Sequence, residues 1–105
     1  MAGTRAIPGL GSGADVERAT TLLKALAHDA RLEILCLLVD GERSVSDIAT
    51  LLGRPQTAVS QQLMRLRADG FVSRRRAGRH IYYRLGRPEV RAIVAALQDA
   101  FCSTG

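Results

Sequence analysis

The chain has no tryptophan and only two tyrosines and two phenylalanines among its 105 residues, so aromatic packing cannot dominate its core. With 47% hydrophobic residues the core is aliphatic and helical in character. Cysteine is equally scarce: Cys36 and Cys102 stand alone, too few and too far apart for a disulfide framework. There is no CxxC or HExxH spacing, and the only histidines, His28 and His80, are distant in sequence, so no close-set metal-ligand cluster is expected. No apolar run approaches the roughly 18 residues of a membrane span. The opening MAGTRAIPGLGSGA lacks the apolar stretch of a secretion signal, and a cytoplasmic protein with reduced thiols is expected. No nucleophile, base and oxyanion constellation is present, and a domain of this length has little room for a pocket. An enzyme is not expected.

Acidic residues are missing from one place in particular. Residues 54–87 carry nine arginines (Arg54, Arg65, Arg67, Arg74, Arg75, Arg76, Arg79, Arg84 and Arg87) against Asp69 alone, a net +8. The remainder has six basic and nine acidic residues, a net −3. Segregation of this kind suits a polyanion, because neutralising phosphates releases condensed counterions and needs many like charges on one surface.

Periodicity then places that charge. Residues 1–14, rich in Gly, read as a flexible N-terminal arm, and residues 15–105 as a single domain. From Asp15, a candidate cap, Val16, Ala19, Leu22, Leu23 and Leu26 give a first helix. In HDARLEILCLLVDG, Asp29 is placed to cap a second helix that turns Leu32, Leu35, Cys36 and Val39 to one face and stops at Gly41. SVSDIATLLG, capped by Ser44 or Ser46, and RPQTAVSQQLMRLRADG form a pair of short helices. Pro55 suits the first position of the second, whose inner face is Ala58, Val59, Leu63 and Leu66. That pair fits a helix-turn-helix with its second member in a DNA major groove. FVSRRRAGRHIYYRLG changes to a period of two around a glycine turn, a hairpin with arginines at its tip. Pro88 opens a last helix with the seam Val90, Ile93, Val94, Leu97 and Phe101. With Val16 and Leu23 of the first helix, this seam is the expected dimer interface, since so small a domain gains from a twin.

The blocks LKALAHDARLEILCLL, LGRPQTAVSQQLMRLRADGFV and RRRAGRHIYYRL, in this order, resemble the ArsR/SmtB family of winged-helix transcriptional repressors over residues 16–102. The resemblance implies a mainly α fold with a two-stranded β-wing, a winged helix-turn-helix, and a homodimer that leaves its operator when an inducer is sensed. It implies DNA contact from Gln56, Thr57, Ser60, Gln61, Gln62 and Arg65 of the recognition helix, and from Arg74, Arg75, Arg76, Arg79 and His80 of the wing. Gln suits bidentate pairing with adenine. Tyr82 and Tyr83 are expected to pack in the strand, and His28 to bond at a helix end.

The same resemblance narrows the inducer. Where soft-metal sensors of the family carry ELCVCDL, this chain has ERSVSDI, with Ser44 and Ser46 in place of thiolates that such metals select. The last helix holds Glu89 and Asp99 but no histidine, so the zinc site of other members is not expected either, and no cofactor is expected. Alone, Cys36 is a small core residue as readily as a sensor. Paired with Cys102 it resembles the persulfide-responsive SqrR/BigR-type branch, which implies sensing thiols that take up sulfane sulfur and close into a bridge with extra sulfur between them. A plain disulfide needs α-carbons within about 7 Å, so a wider spacing favours the longer bridge. A metal-responsive repressor and a winged helix used for protein contact are the alternatives.

Overall fold

A computed structural model describes residues 9–101. Five helices and three short strands follow in the order α1 (Gly13–Leu26), α2 (Asp29–Leu38), β1 (Arg43–Ser44), α3 (Val45–Leu52), α4 (Gln56–Ala68), β2 (Val72–Ala77), β3 (His80–Leu85) and α5 (Pro88–Phe101). No helix among the described residues is long and apolar enough to cross a membrane. The winged helix-turn-helix order and the two-stranded wing, β2 and β3, are the expected ones, and a further short strand joins them. Arg43 and Ser44 pair antiparallel with Tyr83 and Tyr82, giving a three-stranded sheet in the order β1-β3-β2. A two-residue strand is too short to leave a period in the sequence.

Several boundaries shift by a residue or two. Helix α1 starts at Gly13, inside the stretch assigned to the arm, because Ser12 is its cap. The Ser12 hydroxyl accepts from the Asp15 amide at 3.3 Å, while the Asp15 carboxylate accepts from the Ser12 amide at 3.1 Å. This reciprocal capping box makes Asp15 the third helical residue, not the cap. The Ser12 amide bond holds the Asp15 carboxyl below its ordinary pKa. Residues 1–8 of the arm lie outside the described residues. Asp29 is likewise the first residue of α2 rather than its cap, and stabilises the helix dipole from there. The cap position belongs to His28, whose carbonyl accepts from Leu32 at 3.0 Å and whose side chain makes no cap bond. Ser44, not Ser46, caps α3, accepting from the Asp47 amide at 3.1 Å. Gly53 ends α3 in the left-handed region at φ 63°, and Pro55 sits one position before α4.

The core is aliphatic. Ile34, Leu35 and Leu38 of α2 meet Ile48 of α3, Val59, Leu63 and Leu66 of α4, and Val90 and Val94 of α5, all with no more than 1% exposure. Helix α2 is rotated from the expected stripe: Leu35 is buried, but Leu32, Cys36 and Val39 are only half-buried at its edge. Ala58, expected inward, is exposed, because the inner face of α4 is the narrow i, i+4, i+7 row of Val59, Leu63 and Leu66. Tyr83 and Leu85 close the sheet side.

The strand ends approach closely at Gly86, whose amide donates to the Phe71 carbonyl at 2.8 Å. A β-carbon at Gly86 would meet the Gly70 carbonyl oxygen at 2.9 Å, with backbone on both sides. Gly86→Ala should therefore strain the junction of α4, wing and α5 by about 1–3 kcal/mol. Thermal unfolding followed by circular dichroism should show a fall of several degrees; an unchanged midpoint would show that the junction yields freely.

Candidate nucleic-acid interface

Helix α4 buries one row and leaves the other to solvent. Gln56, Thr57, Gln61 and Arg65 are exposed and Ser60 is half-buried, so five of the expected contact residues share an open face. Gln62 does not join them. It is half-buried, and its carbonyl oxygen accepts from Arg31 Nε of α2 at 2.8 Å. At three positions past Val59 it lies on the flank toward α2, where its bond to Arg31 ties α4 to the body. A groove of about 160 Å³ between the start of α3, the recognition helix and the wing is lined by Ser44, Ser46, Gln56, Ser60, Arg79 and His80. It makes the helix and the wing tip one surface.

Strand register divides the wing arginines. Arg74 pairs with Tyr83 and Arg76 with Ile81, on the face that nearer the body carries Val72 and Leu85. Arg75 pairs with Tyr82 on the opposite face. There its guanidinium lies 4.9 Å from the Tyr82 ring centre and donates to both Glu42 carboxylate oxygens, at 2.8 and 2.6 Å. The bond to Arg75 holds the Glu42 carboxyl below its ordinary pKa, and Glu42 in turn raises that of Arg75. Arg75 is thus occupied across the sheet, on the face opposite Arg74 and Arg76, and an expected DNA contact from it would compete with Glu42. Arg54 is also engaged, at 3.0 and 2.7 Å from the Glu33 carboxylate. Arg65, Arg67, Arg74, Arg76 and Arg79 are exposed and have no acidic partner among the described residues. His80, exposed beside the turn, has its ring 6.1 Å from that of Tyr82. Tyr83, 3% exposed, and the half-buried Tyr82 pack in the sheet.

On the far side of α2, Cys36 lines an open, largely apolar groove of about 740 Å³ with Leu32, Leu97, Gln98, Asp99 and Phe101. Burial pushes the Cys36 thiol above its ordinary pKa; Gln98 opposes this and the Glu33 charge adds to it. Gln98 Nε2 also donates to the Cys36 carbonyl at 3.1 Å. Cys102, next in sequence after Phe101 of the groove rim, lies outside the described residues. Among the described residues no three His, Cys, Asp or Glu side chains converge as metal ligands.

The expected dimer seam divides in two. Leu23, Ile93 and Phe101 are exposed at 60, 40 and 81%, and Val16 and Leu97 are half-buried beside them. Val90 and Val94 are fully buried within the subunit, because the inner stripe of α5 packs on the core, so they back the outer face and do not form it. Two interactions had no signal in the sequence, the Glu42–Arg75 bridge and the Gln62–Arg31 bond, since each joins residues more than thirty apart.

The family described as bacterial regulatory protein, arsR family, matches residues 28–74. The transcriptional activator HlyU of Vibrio cholerae is 41% identical over 85 residues, covering 81% of this chain and 79% of that protein. Its reduced form superposes with a TM-score of 0.82 at 39% identity, covering 86% of this chain and 95% of that one. The biofilm growth-associated repressor of Xylella fastidiosa is 43% identical over 82 residues, covering 78% of this chain and 72% of that protein. The solved repressor BigR from the same species gives a TM-score of 0.80 at 38% identity, covering 87% of this chain and 93% of that one. A homodimeric winged helix-turn-helix DNA-binding domain from Mycobacterium bovis gives 0.73 at 39% identity, with 83 and 81% covered. These relatives are transcriptional regulators, and with this likeness in sequence along most of the domain the chain belongs to the ArsR family of bacterial regulatory proteins.

Proposed function

We propose that this protein is a homodimeric repressor that holds operator DNA while its thiols are reduced and releases it when reactive sulfur species join Cys36 to Cys102. DNA binding is supported by the open face of α4, continuous through one groove with unpaired wing arginines. Two such heads, one per subunit, suit half-sites about 34 Å apart. The outer face of Leu23, Ile93 and Phe101 is the surface offered to the second subunit. The homodimeric relative and the relatives named as repressors agree with both parts.

The observation that carries the sensing reading is the placement of Cys36. It lines the α2–α5 groove, and the rim of that groove, Phe101, directly precedes Cys102 in the chain. In the proposed reaction each thiolate attacks the outer sulfur of a donor hydropersulfide, whose sulfur–sulfur bond breaks and releases the donor as a thiol. The protein then carries two hydropersulfides. One, as its anion, attacks the sulfur bonded to Cβ of the other; that residue's sulfur–sulfur bond breaks and hydrosulfide leaves. The product is a three-sulfur bridge, and no external oxidant is consumed.

Operator binding titrated against salt separates the two arginine classes. Arg74→Ala, Arg76→Ala and Arg79→Ala should each weaken binding and lower the log–log salt slope by roughly 0.9 for each phosphate the native arginine neutralises. Arg75→Ala should leave that slope nearly unchanged; a decrease as large as that of the other three would return Arg75 to the interface. Cys36→Ser should bind operator as the wild type does and stay bound after treatment with a persulfide donor, so normal release in this variant would discard the dithiol mechanism. Because only the thiolate attacks and the Cys36 pKa is raised, the rate of Cys36 modification should keep climbing with pH beyond the ordinary thiol range. Alkylation rates read by mass spectrometry on a Cys102→Ser background check this, a plateau near neutral pH being the contrary result.

A further inference from the structure

Helix α2 is gripped by side chains at both ends. Near its C-terminus, Gln98 of α5 donates to the Cys36 carbonyl at 3.1 Å, and Arg91, two turns earlier on α5, donates to the Val39 carbonyl. The Cys36 carbonyl also accepts from the Val39 amide at 3.3 Å, so Gln98 adds a second donor from another helix to an oxygen in the last turn of α2. Toward its N-terminus, Arg31 holds Gln62 of the recognition helix at 2.8 Å, and Glu33 holds Arg54 of the turn before that helix at 3.0 and 2.7 Å. Between the two grips α2 is locked by Ile34, Leu35 and Leu38, which are fully buried. A fully packed helix moves as a body rather than bending, because a close-packed core does not deform continuously. A shift of α5 relative to the Cys36 backbone is therefore delivered to the middle of α4 and to the turn ahead of it.

We infer that Gln98 is the positioning residue that makes operator binding respond to the groove around Cys36, with α2 as the rod and Arg31–Gln62 as its far coupling. This rests on the thiol switch proposed above and names how the switch reaches DNA. Gln98 lies on α5, away from the recognition helix, and beside the Cys36 thiol, whose pKa it lowers. It sits on the groove wall beside Leu97 and fastens α5 to the backbone of a residue whose side chain reacts. Growth of a sulfur bridge in the groove pushes α5 away from α2, and the bond at the Cys36 carbonyl converts that push into a pull on α2. Among the described residues no other α5 side chain lining the groove, Leu97, Asp99 or Phe101, bonds the α2 backbone, and Arg91, which reaches the Val39 carbonyl, stands outside the groove.

The test uses the full chain and four measurements: thermal stability, operator affinity of the reduced protein, sulfur adducts on Cys36 by mass spectrometry, and operator affinity after a persulfide donor. Gln98→Leu keeps the volume and removes the donor. It should fold, reach the same final sulfur adducts as the wild type though more slowly, since Gln98 no longer lowers the thiol pKa, and bind operator in the reduced form within about twofold. Sulfur-induced release, expected at about 5- to 150-fold in the wild type, should shrink to about twofold or less. Gln62→Met, which cuts the far coupling, should uncouple release in the same way and serves if Gln98→Leu does not fold. Full release by both folded variants overturns the inference while leaving the thiol switch intact. A wild type that acquires the sulfur bridge and keeps its operator refutes the switch itself, and the inference falls with it.

Discussion

The burial of α2 is the constraint on which the rest of the molecule depends. Three of its side chains are wholly removed from water, and the helices that read DNA, face a second subunit and line the thiol groove all lean on it. A domain this small has one aliphatic core, and α2 runs through its centre, so no functional face can be adjusted without reference to that helix. Each fully buried Leu or Ile contributes about 1.5–3 kcal/mol by removal from water. Movement that opened this packing would be resisted at that scale, whereas movement of α2 as a unit leaves most of it intact.

Electrostatics on the opposite side is organised by pairing. The arginine-rich segment is a polyanion surface only after its internal partners are subtracted. Glu33 and Glu42, which lie outside that segment in sequence, fold onto it and occupy Arg54 and Arg75. Of the arginines left over, Arg65 and Arg67 lie on α4 and Arg74, Arg76 and Arg79 around the wing turn, where a duplex laid on the recognition helix would pass. The paired ones have different work: Arg54 braces the turn ahead of α4, and Arg75 crosses the sheet over Tyr82 and fixes the wing against β1. Exposed ion pairs add little to stability. Their value here is in orienting elements that must match a rigid partner.

Helix order, the hairpin and the reading head were legible in the sequence because each leaves a local signature. Gly53 and Pro55 punctuate the turn, apolar residues three and four apart mark the helices, and alternation at Ile81, Tyr83 and Leu85 marks the strand. Caps were harder, since Ser12 and Asp15 are both good cap residues and only the reciprocal bond decides between them. The rotation of α2 was not legible at all, because a helix apolar on nearly every side, as LEILCLL is, carries no stripe from which to read its orientation. The fates of Gln62 and Arg75 were hidden for another reason. Both belong to runs of identical residues, QQ and RRR, whose members differ only in the direction that secondary structure gives them.

Glu33 joins these themes. Its carboxylate holds Arg54 next to the recognition helix, and its charge helps keep the Cys36 thiol protonated one turn further along α2. Ionising that thiol places a negative charge one turn from that of Glu33, which opposes it. In the proposed switch the protonated thiol and the sulfur bridge are both uncharged, so its two end states would differ by how far α5 stands from α2 and not by charge.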